Sequence, residues 1–234
     1  MNEMREAFRQ ALLLIGGADP HLVEIVALTA QVSLSAVALA TALGLPLGAG
    51  LALFRFPGRR TAIVLVNALM GLPPVVAGLV VYLLLSRSGP LGDWGLLFTP
   101  AAMIVAQCVL VVPIIAALAR QALEDLWAEY AEQLRSLGAG RLRAVPTLLW
   151  EARYTLVTGV LAGFGRAIAE VGAVLIVGGN IAHHTRVMTT AIALETSKGD
   201  LALALGLGIL LIGLSVLVNA SAQVMKGLTG EPRV

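Results

Sequence analysis

The chain has 234 residues, of which 58% are hydrophobic and only 13% are charged, and its mean hydropathy is +0.89. Because soluble domains carry about 25% charged residues, this composition excludes an ordinary soluble fold and predicts an all-α, polytopic membrane protein. The formal net charge of +2 gives no reason to expect a nucleic-acid partner. The single cysteine, Cys108, lies in an apolar run, which excludes an intrachain disulfide and predicts a buried structural thiol.

Five long apolar stretches follow a short amphipathic lead over residues 1–21. The lead has Phe8 and Leu12 on one side, and we expect either a helix at the membrane surface or a frayed terminus. Each apolar stretch has at least the roughly 20 residues that a spanning helix needs. The predicted spans are 25–54, 61–86, 94–119, a fourth that begins at Tyr154, and 201–225. They occupy most of the chain, so residues 1–234 are expected to form one transmembrane domain.

The distribution of basic residues predicts how these five spans are oriented. One side of the membrane holds the loop after the first span, the charged segment 121–153 with its edge, and the C-terminal tail. That side carries ten lysines and arginines, and the other side carries five. We therefore expect a multi-pass protein of the cell (inner) membrane, with the N-terminus outside and the C-terminus in the cytoplasm.

The segment 121–153, called the elbow below, is the longest charged stretch between two apolar runs. Its first half has one apolar stripe at helical spacing. Gly138 and Gly140 are expected to end that helix, and a second helix is expected near Pro146. About 33 residues are many for a simple connection. The elbow is therefore either a docking element for a soluble partner or a solvated cytoplasmic loop. The stripe comprises Leu123, Leu126, Trp127, Tyr130, Leu134 and Leu137.

The chain lacks a sequence for nucleotide hydrolysis. A P-loop requires a lysine after glycine, and neither of the two lysines, Lys198 and Lys226, follows one. If ATP drives transport, the ATPase is therefore a partner, and the elbow is the cytoplasmic segment large enough for that partner to grip. The competing class is an ion-coupled carrier or channel in which Arg166 and Glu170 form a titratable pair. Neither class predicts an enzyme activity or a cofactor in this chain.

Two features of the spans are candidates for a translocation pathway. Arg166 and Glu170 are four residues apart, which predicts one face of a continuous fourth helix, turned to the bundle interior, a dimer seam or water. They form either a structural ion pair or part of a gate in which Arg166 attracts an anion. In the second span, Pro73 and Pro74 follow Gly71 and interrupt the helix, which marks either a packing kink or a substrate pathway.

The segment between the fourth and fifth spans is polar and is predicted to lie outside. The hydroxyls of this segment, including those of Thr189 and Thr190, and the guanidinium of Arg186 could donate hydrogen bonds to a passing tetrahedral oxyanion. The alternative is a polar loop that meets an external binding protein. Within this segment, residues 188–194 are apolar but too short to span, which predicts a re-entrant or interfacial helix.

The adjacent residues His183 and His184 raise the question of a metal site. No third ligand lies at a suitable spacing from them. A metal site requires at least three protein ligands in most cases, so none is expected.

The elbow resembles the cytoplasmic EAA loop of the permease subunits of binding-protein-dependent ABC importers. Glu132 precedes Gly138 by six residues, as in that loop, although Gln133 and Leu134 replace its two alanines. The resemblance implies that the elbow couples the spans to two cytoplasmic ATPase subunits. The residues expected to make that contact are Tyr130, Glu132, Leu134, Leu137, Gly138 and Ala139.

The stretch 163–200, which begins GFGRAIAEVGAVLIVGGN, resembles the tungstate permeases of the same family. This resemblance implies a type I importer permease fold with five transmembrane helices. It also implies a homodimer that works with two ATPase subunits and an extracytoplasmic oxyanion-binding protein. The implied function is ATP-driven import of tungstate, with molybdate or another oxyanion as the alternative. The pathway or gate is expected to include Pro73, Pro74, Arg166, Glu170, Asn180, Thr189 and Thr190.

Overall fold

Helices make up almost all of the described structure. The computed structural model describes residues 2–17 and 19–228, with side chains over 6–17 and 19–221. Within these residues there are ten α-helices and one short 3-10 helix, Gly92–Trp94. The α-helices are α1 (Asn2–Gly16), α2 (Pro20–Leu53), α3 (Arg59–Met70), α4 (Pro74–Leu85), α5 (Pro100–Ser136), α6 (Arg141–Glu151), α7 (Arg153–Ile168), α8 (Gly172–Gly178), α9 (Met188–Lys198) and α10 (Leu201–Leu228). The prediction of an all-α fold is confirmed.

Three of these helices, α2, α5 and α10, are long and apolar enough to cross a membrane. Two further pairs, α3 with α4 and α7 with α8, meet the same criterion only together, and each pair is bent at a short break. Counting each pair as one span gives the five spans expected from the sequence. The N-terminal lead forms α1, and the segment after the fourth span contains the short helix α9, as predicted.

The third span begins later than expected. It starts at Pro100 rather than at residue 94. The residues before it form the 3-10 helix and a turn in which Gly95 and Phe98 have positive φ angles of 60° and 62°. A helix cannot pass through two left-handed residues, so the apolar composition of this stretch does not produce helix.

The second elbow helix also begins earlier than predicted, at Arg141 instead of near Pro146. The Ala144 N–H donates to the Gly140 carbonyl at 3.0 Å and closes the first turn ahead of the proline. Pro146 has no backbone N–H to donate within α6. Because it lies in the second turn, the helix loses one backbone hydrogen bond. A proline at this distance from the helix start is therefore a poor marker of where α6 begins.

The prolines interrupt the second span as predicted. α3 ends at Met70, where the Gly71 N–H donates to the Ala68 carbonyl at 3.1 Å in a tight turn. Pro73 then adopts an extended conformation, and α4 begins at Pro74. A proline in the first helical position loses no intrahelical bond, because that N–H has no partner in any helix.

The chain divides into two compact units. The first unit contains the residues up to 36, residues 73–107 and residues 167–219. Within it, α4 packs closely on α8, because a Cβ atom at Gly78 would lie only 2.7 Å from the Ala173 Cα. The apolar core of this unit also joins α2, α9 and α10 through Leu22, Ile25, Met188, Ala191 and Leu207.

The second unit contains residues 37–72, residues 108–166 and those from 220 onward. Here α2 and α5 cross closely, because a Cβ atom at Gly48 would lie 2.7 Å from the Ala116 carbonyl oxygen. Both elbow helices pack against this crossing, so part of the elbow stripe is covered by the chain itself. The buried residues that join them are Ala49, Ala52, Leu53, Ala119, Leu123, Ala144, Leu148, Ala152 and Leu156.

Candidate functional site

The elbow turns at Gly138, whose φ angle is 74°. The Gly138 N–H donates to the Arg135 carbonyl at 2.9 Å, and the Ala139 N–H donates to the Leu134 carbonyl at 2.8 Å. These two bonds form a Schellman motif, which satisfies the last carbonyl groups of α5. A Cβ at Gly138 would meet no atom of the described residues within 4 Å. Glycine therefore serves the backbone conformation and not close packing, and the predicted helix end is confirmed.

A groove of about 250 Å³ lies between the end of α5 and α6. Three of the predicted coupling residues, Tyr130, Leu134 and Leu137, line it. The other lining residues are Gln133, Thr147, Leu148 and Glu151. Aliphatic and aromatic side chains edged by polar groups are the composition of a pocket that receives a protein side chain.

Tyr130 supplies a neutral hydrogen-bonding group to this groove. Its hydrogen bond to the Glu129 carboxylate raises the pKa of Tyr130 above the ordinary value, and the negative charge of Glu129 adds to the effect. Because the shift is upward from a value near 10, the phenol keeps its proton throughout the physiological pH range.

Three large apolar side chains of the elbow are exposed. Leu137 is 82% exposed, Leu142 is 74% exposed and Trp150 is 70% exposed. Ala144 and Leu148 mark the buried face of α6, and Leu142 and Trp150 lie two residues outside them, on the opposite face. Large apolar side chains exposed on a segment outside the spans are available to a protein partner. The sequence analysis missed Leu142 and Trp150, although apolar residues off the buried stripe of α6 were the available signal.

The remaining predicted coupling residues do not line the groove. Glu132 is exposed on α5, and Ala139 is half-buried in the turn. Near Glu132, the guanidinium of Arg135 lies 5.5 Å from the centre of the Trp127 ring. The exposed Glu132 carboxylate is therefore open to a cationic group from outside the chain.

The fourth span does not place its two charged residues on one helical face, so that prediction is wrong. Arg166 lies half-buried in the last turn of α7, which ends at Ile168. Glu170 lies in the break before α8 begins at Gly172, and it is only 3% exposed. The two residues therefore do not belong to one continuous helix, and the ion-pair and gate interpretations of this pair both stay predictions.

Glu170 and distant side chains hold this break. The Glu170 Oε1 accepts a hydrogen bond from the Ala173 N–H at 2.9 Å, in the first turn of α8. The Glu170 carbonyl accepts from the Thr189 hydroxyl at 2.8 Å, and the Gln107 amide donates to the Ala167 carbonyl at 3.1 Å. Side chains thus satisfy backbone groups that the break removes from the helical hydrogen-bond pattern.

The breaks of the second and fourth spans are neighbours. A Cβ atom at Gly172, the first residue of α8, would lie 3.0 Å from Val75 Cγ2, near the start of α4. Pro73 is exposed and Pro74 is half-buried at this end of α4. The structure therefore places the proline break close to the segment that contains Glu170.

Asn180 and Thr190 lie together beyond α8. Asn180 has a φ angle of 52°, and its Nδ2 donates to the Thr190 carbonyl at 3.4 Å. The Thr190 hydroxyl donates to the Val187 carbonyl at 3.0 Å. The Asn180 Oδ1 is buried and has no hydrogen-bond partner within the part of the chain that the structure describes. In this conformation the hydroxyl protons of Thr189 and Thr190 are both donated to backbone carbonyls.

His183 contacts residues of α2. Its Nδ1 lies 2.7 Å from the Glu24 carboxylate, and its ring meets the edge of His21 at 5.6 Å between centroids. Among the described residues, no three histidine, cysteine, aspartate or glutamate side chains form a group that could hold a metal ion.

The sequence matches the family described as "Binding-protein-dependent transport system inner membrane component" over residues 44–227. It is 42% identical over 222 residues to the tungstate uptake system permease protein TupB of Peptoclostridium acidaminophilum, which covers 94% of this chain and 96% of that protein. It is also 42% identical over 205 residues to a probable anion ABC transporter permease protein of Haloferax volcanii, covering 86% of this chain and 88% of the relative. The sulfate transport system permease protein CysT of Escherichia coli is 30% identical over 185 residues, which cover 76% of this chain and 67% of that protein.

A solved structure has the same fold. The structure is that of the methionine ABC transporter MetNI in inward-facing conformations, and a chain of it aligns with a TM-score of 0.74. The alignment covers 90% of this chain and 97% of that chain at 20% sequence identity. At this identity the likeness concerns the fold of an ABC importer permease and not the substrate.

Proposed function

Since the chain belongs to the family of inner membrane components of binding-protein-dependent transport systems, we propose that it is the permease subunit of an ATP-driven tungstate importer. The observation that carries the substrate is the 42% identity with a tungstate uptake permease over nearly the whole chain. Relatives that are named as anion and sulfate permeases support an oxyanion as the substrate class. Molybdate is the closest alternative because it has the same charge and tetrahedral shape.

The elbow is the proposed contact for two cytoplasmic ATPase subunits. Its groove is lined by Tyr130, Leu134 and Leu137, and its outer face exposes Leu142 and Trp150. A helix seated in the groove of a partner, with aromatic and leucine anchors, is a common mode of protein recognition. Because α6 packs on parts of α2, α5 and α7 through buried residues, motion of the elbow would move those helices with it.

The turn residues give the elbow a fixed shape for this contact. The Schellman motif at Gly138 and Ala139 sets the angle between α5 and α6. The exposed Glu132 carboxylate is proposed to pair with a cationic group of the ATPase.

The complete importer is proposed to contain two copies of this chain and an extracytoplasmic oxyanion-binding protein. The translocation path would run between the copies, and the apolar residues exposed on α4 would face lipid or the second copy. The excess of lysine and arginine on the elbow side supports a cytoplasmic elbow and C-terminus and an external N-terminus.

The gate is proposed at the adjacent breaks of the second and fourth spans. Pro73 and Pro74 lie at the start of α4, and Glu170 lies in the break before α8. Arg166, in the last turn of α7, is proposed as a further residue of the pathway. Irregular backbone at membrane depth is tolerated where it lines a cavity between helices, and transporters use such breaks for substrate passage. Asn180, Thr189 and Thr190 are proposed to line the same path on its outer side.

Uptake by the reconstituted complex tests the function. Proteoliposomes are prepared that contain this chain with its co-purified ATPase and binding protein. They should accumulate labelled tungstate only when ATP is present on the side of the membrane where the ATPase lies. Molybdate and sulfate in excess then rank the substrate preference. Accumulation driven by an ion gradient in vesicles that contain this chain alone would instead support the carrier class.

Substitution of Arg166 tests the gate. Arg166→Gln should lower tungstate uptake and loosen its coupling to ATP hydrolysis, because the substitution removes a cation proposed to attract the dianion. Arg87→Gln, on the loop after α4, is the matched control. Unchanged uptake and unchanged coupling in Arg166→Gln would leave Arg166 a structural residue.

A further inference from the structure

A second site lies where α2 ends and α3 begins. A cavity of about 520 Å³ opens at this junction. Arginines make up half of its lining, and none of the lining residues is acidic. The lining residues are Arg55, Phe56, Gly58, Arg59, Arg60 and Thr61. The proposed transport function assigns no role to the residues of this cavity. Their basic composition therefore needs a separate explanation.

One of the three arginines is occupied by the protein itself. Arg59 forms an ion pair with Glu124 on α5, and its Nε donates to the Leu51 carbonyl at 2.7 Å. Glu124 also pairs with Arg120, so a single carboxylate serves two guanidinium groups. Arg59 thereby ties the loop to α2 and α5 and holds the cavity in shape. This cluster keeps a net positive charge even before the other two arginines are counted.

The other two arginines are available to a ligand. Arg55 and Arg60 are both exposed. Across the described residues, no carboxylate lies within ion-pair distance of either guanidinium. Arginine forms paired hydrogen bonds with phosphate oxygens, which favours an anion carrying such oxygens as the ligand.

Apolar groups beside the cavity favour an amphiphile over a free anion. Phe56 is 45% exposed in the cavity wall, and Val64 and Leu65, further along α3, are 64% and 57% exposed. Val64 follows Arg60 by four residues on α3, so this cation and an exposed aliphatic side chain lie on one helical face, with Phe56 beside them in the cavity wall. Guanidinium groups beside exposed aliphatic side chains match the charged headgroup and the acyl chain of a lipid.

We propose that this junction binds an anionic phospholipid, with Arg55 and Arg60 contacting the headgroup phosphate and Val64 and Leu65 lying along an acyl chain. Arg59 acts as a positioning residue that keeps the loop folded over α5. Basic clusters at the membrane surface attract anionic lipids with a free energy of about 1 kcal/mol for each lysine or arginine. The site is independent of the proposed transport function and requires only that the chain be embedded in a membrane.

Retention of lipid by the purified chain tests the site. Native mass spectrometry would compare phosphatidylglycerol with phosphatidylcholine for the unmodified chain and for the double variant Arg55→Gln/Arg60→Gln. Loss of both arginines should reduce the preference for phosphatidylglycerol over phosphatidylcholine about 30-fold, because only phosphatidylglycerol carries a net negative charge. The matched control, Arg141→Gln/Arg143→Gln in the elbow, removes the same charge and should keep the full preference. A double variant with undiminished preference for phosphatidylglycerol overturns the site.

Two further arms separate the possible sources of the phosphate. Val64→Ser/Leu65→Ser keeps every arginine and should weaken lipid retention if acyl chains lie on α3. Inorganic phosphate and tungstate should fail to displace the lipid. Displacement by either free anion, with no effect of the serine pair, would assign the cavity to a soluble oxyanion and overturn the lipid proposal. None of these measurements uses ATP or uptake, so their failure is distinct from failure of the transport function.

Discussion

At the elbow, α5 ends in a turn whose hydrogen bonds join residues no more than five positions apart. The break between α7 and α8 has local bonds too, but it also receives hydrogen bonds from other helices. Gly138 and Ala139 donate to carbonyls of the same helix end. Around Glu170, local bonds with Ala167 and Ala173 are joined by hydrogen bonds from Gln107 on α5 and Thr189 on α9. The first break is therefore a local structure, and the second depends on the packed unit around it.

The two breaks therefore differ in how easily each can change its shape. A turn formed by local bonds keeps its shape when a partner pushes on it, which suits a coupling element. A break held by separate helices changes when those helices move, which suits a gate. The following substitutions test that distinction in order of expected effect.

The largest loss is expected from Gly78→Val, because α4 holds α8 through the contact of Gly78 with Ala173. The valine side chain would meet backbone atoms and should destabilise the first unit by about 3 kcal/mol. Thermal unfolding in detergent measures the effect. Gly208→Val on α10 is the control, since a Cβ there would meet no described atom within 4 Å. An equal loss of thermal stability in both variants would mean that the close contact between α4 and α8 does not contribute more than any other helical glycine position.

Replacement of Glu170 tests the side-chain bond that caps the first turn of α8 at this break. Glu170→Leu leaves the Ala173 N–H buried without an acceptor and should cost about 2 kcal/mol of unfolding free energy. Glu170→Gln keeps an acceptor oxygen and should recover most of that loss. If glutamine is as damaging as leucine, the charge of Glu170 rather than its capping bond stabilises the break.

Trp150→Ala tests the elbow as a docking surface. Removal of a 70% exposed tryptophan should leave the unfolding temperature unchanged. It should weaken ATPase binding about 30-fold if Trp150 is an anchor of that interface. Trp94→Ala is the matched control, because Trp94 is 67% exposed but lies on the loop before α5. Equal retention of the ATPase by both variants during purification would contradict the elbow assignment.

The smallest effect is expected at the local turn. Gly138→Ala forces a Cβ into the left-handed region and should cost about 1 kcal/mol. Gly140→Ala should be nearly neutral, because Gly140 has a φ angle of −69°. A Cβ atom at either position would meet no described atom within 4 Å. Differential scanning calorimetry of the two variants therefore measures the cost of the backbone conformation alone. Equal stability of the variants would indicate that the turn can relax into another conformation.

Sequence reasoning reached part of the candidate site. Tyr130, Leu134 and Leu137 were predicted from one helical stripe, and the structure brings them to one groove. Leu142 and Trp150 escaped because a single-stripe pattern assigns only one face to a helix, whereas α6 has apolar residues on two faces.

The amino-acid sequence by itself determined that the chain is helical, where most spans lie, and that helices end at Gly71 and Gly138. These properties depend on apolar composition and on glycine and proline geometry, which act within a few residues. Only the tertiary structure decided that the fourth span breaks before Glu170. Gln107 and Thr189 satisfy the freed backbone groups there from 60 and 19 residues away, and such partners are set by packing and not by local pattern.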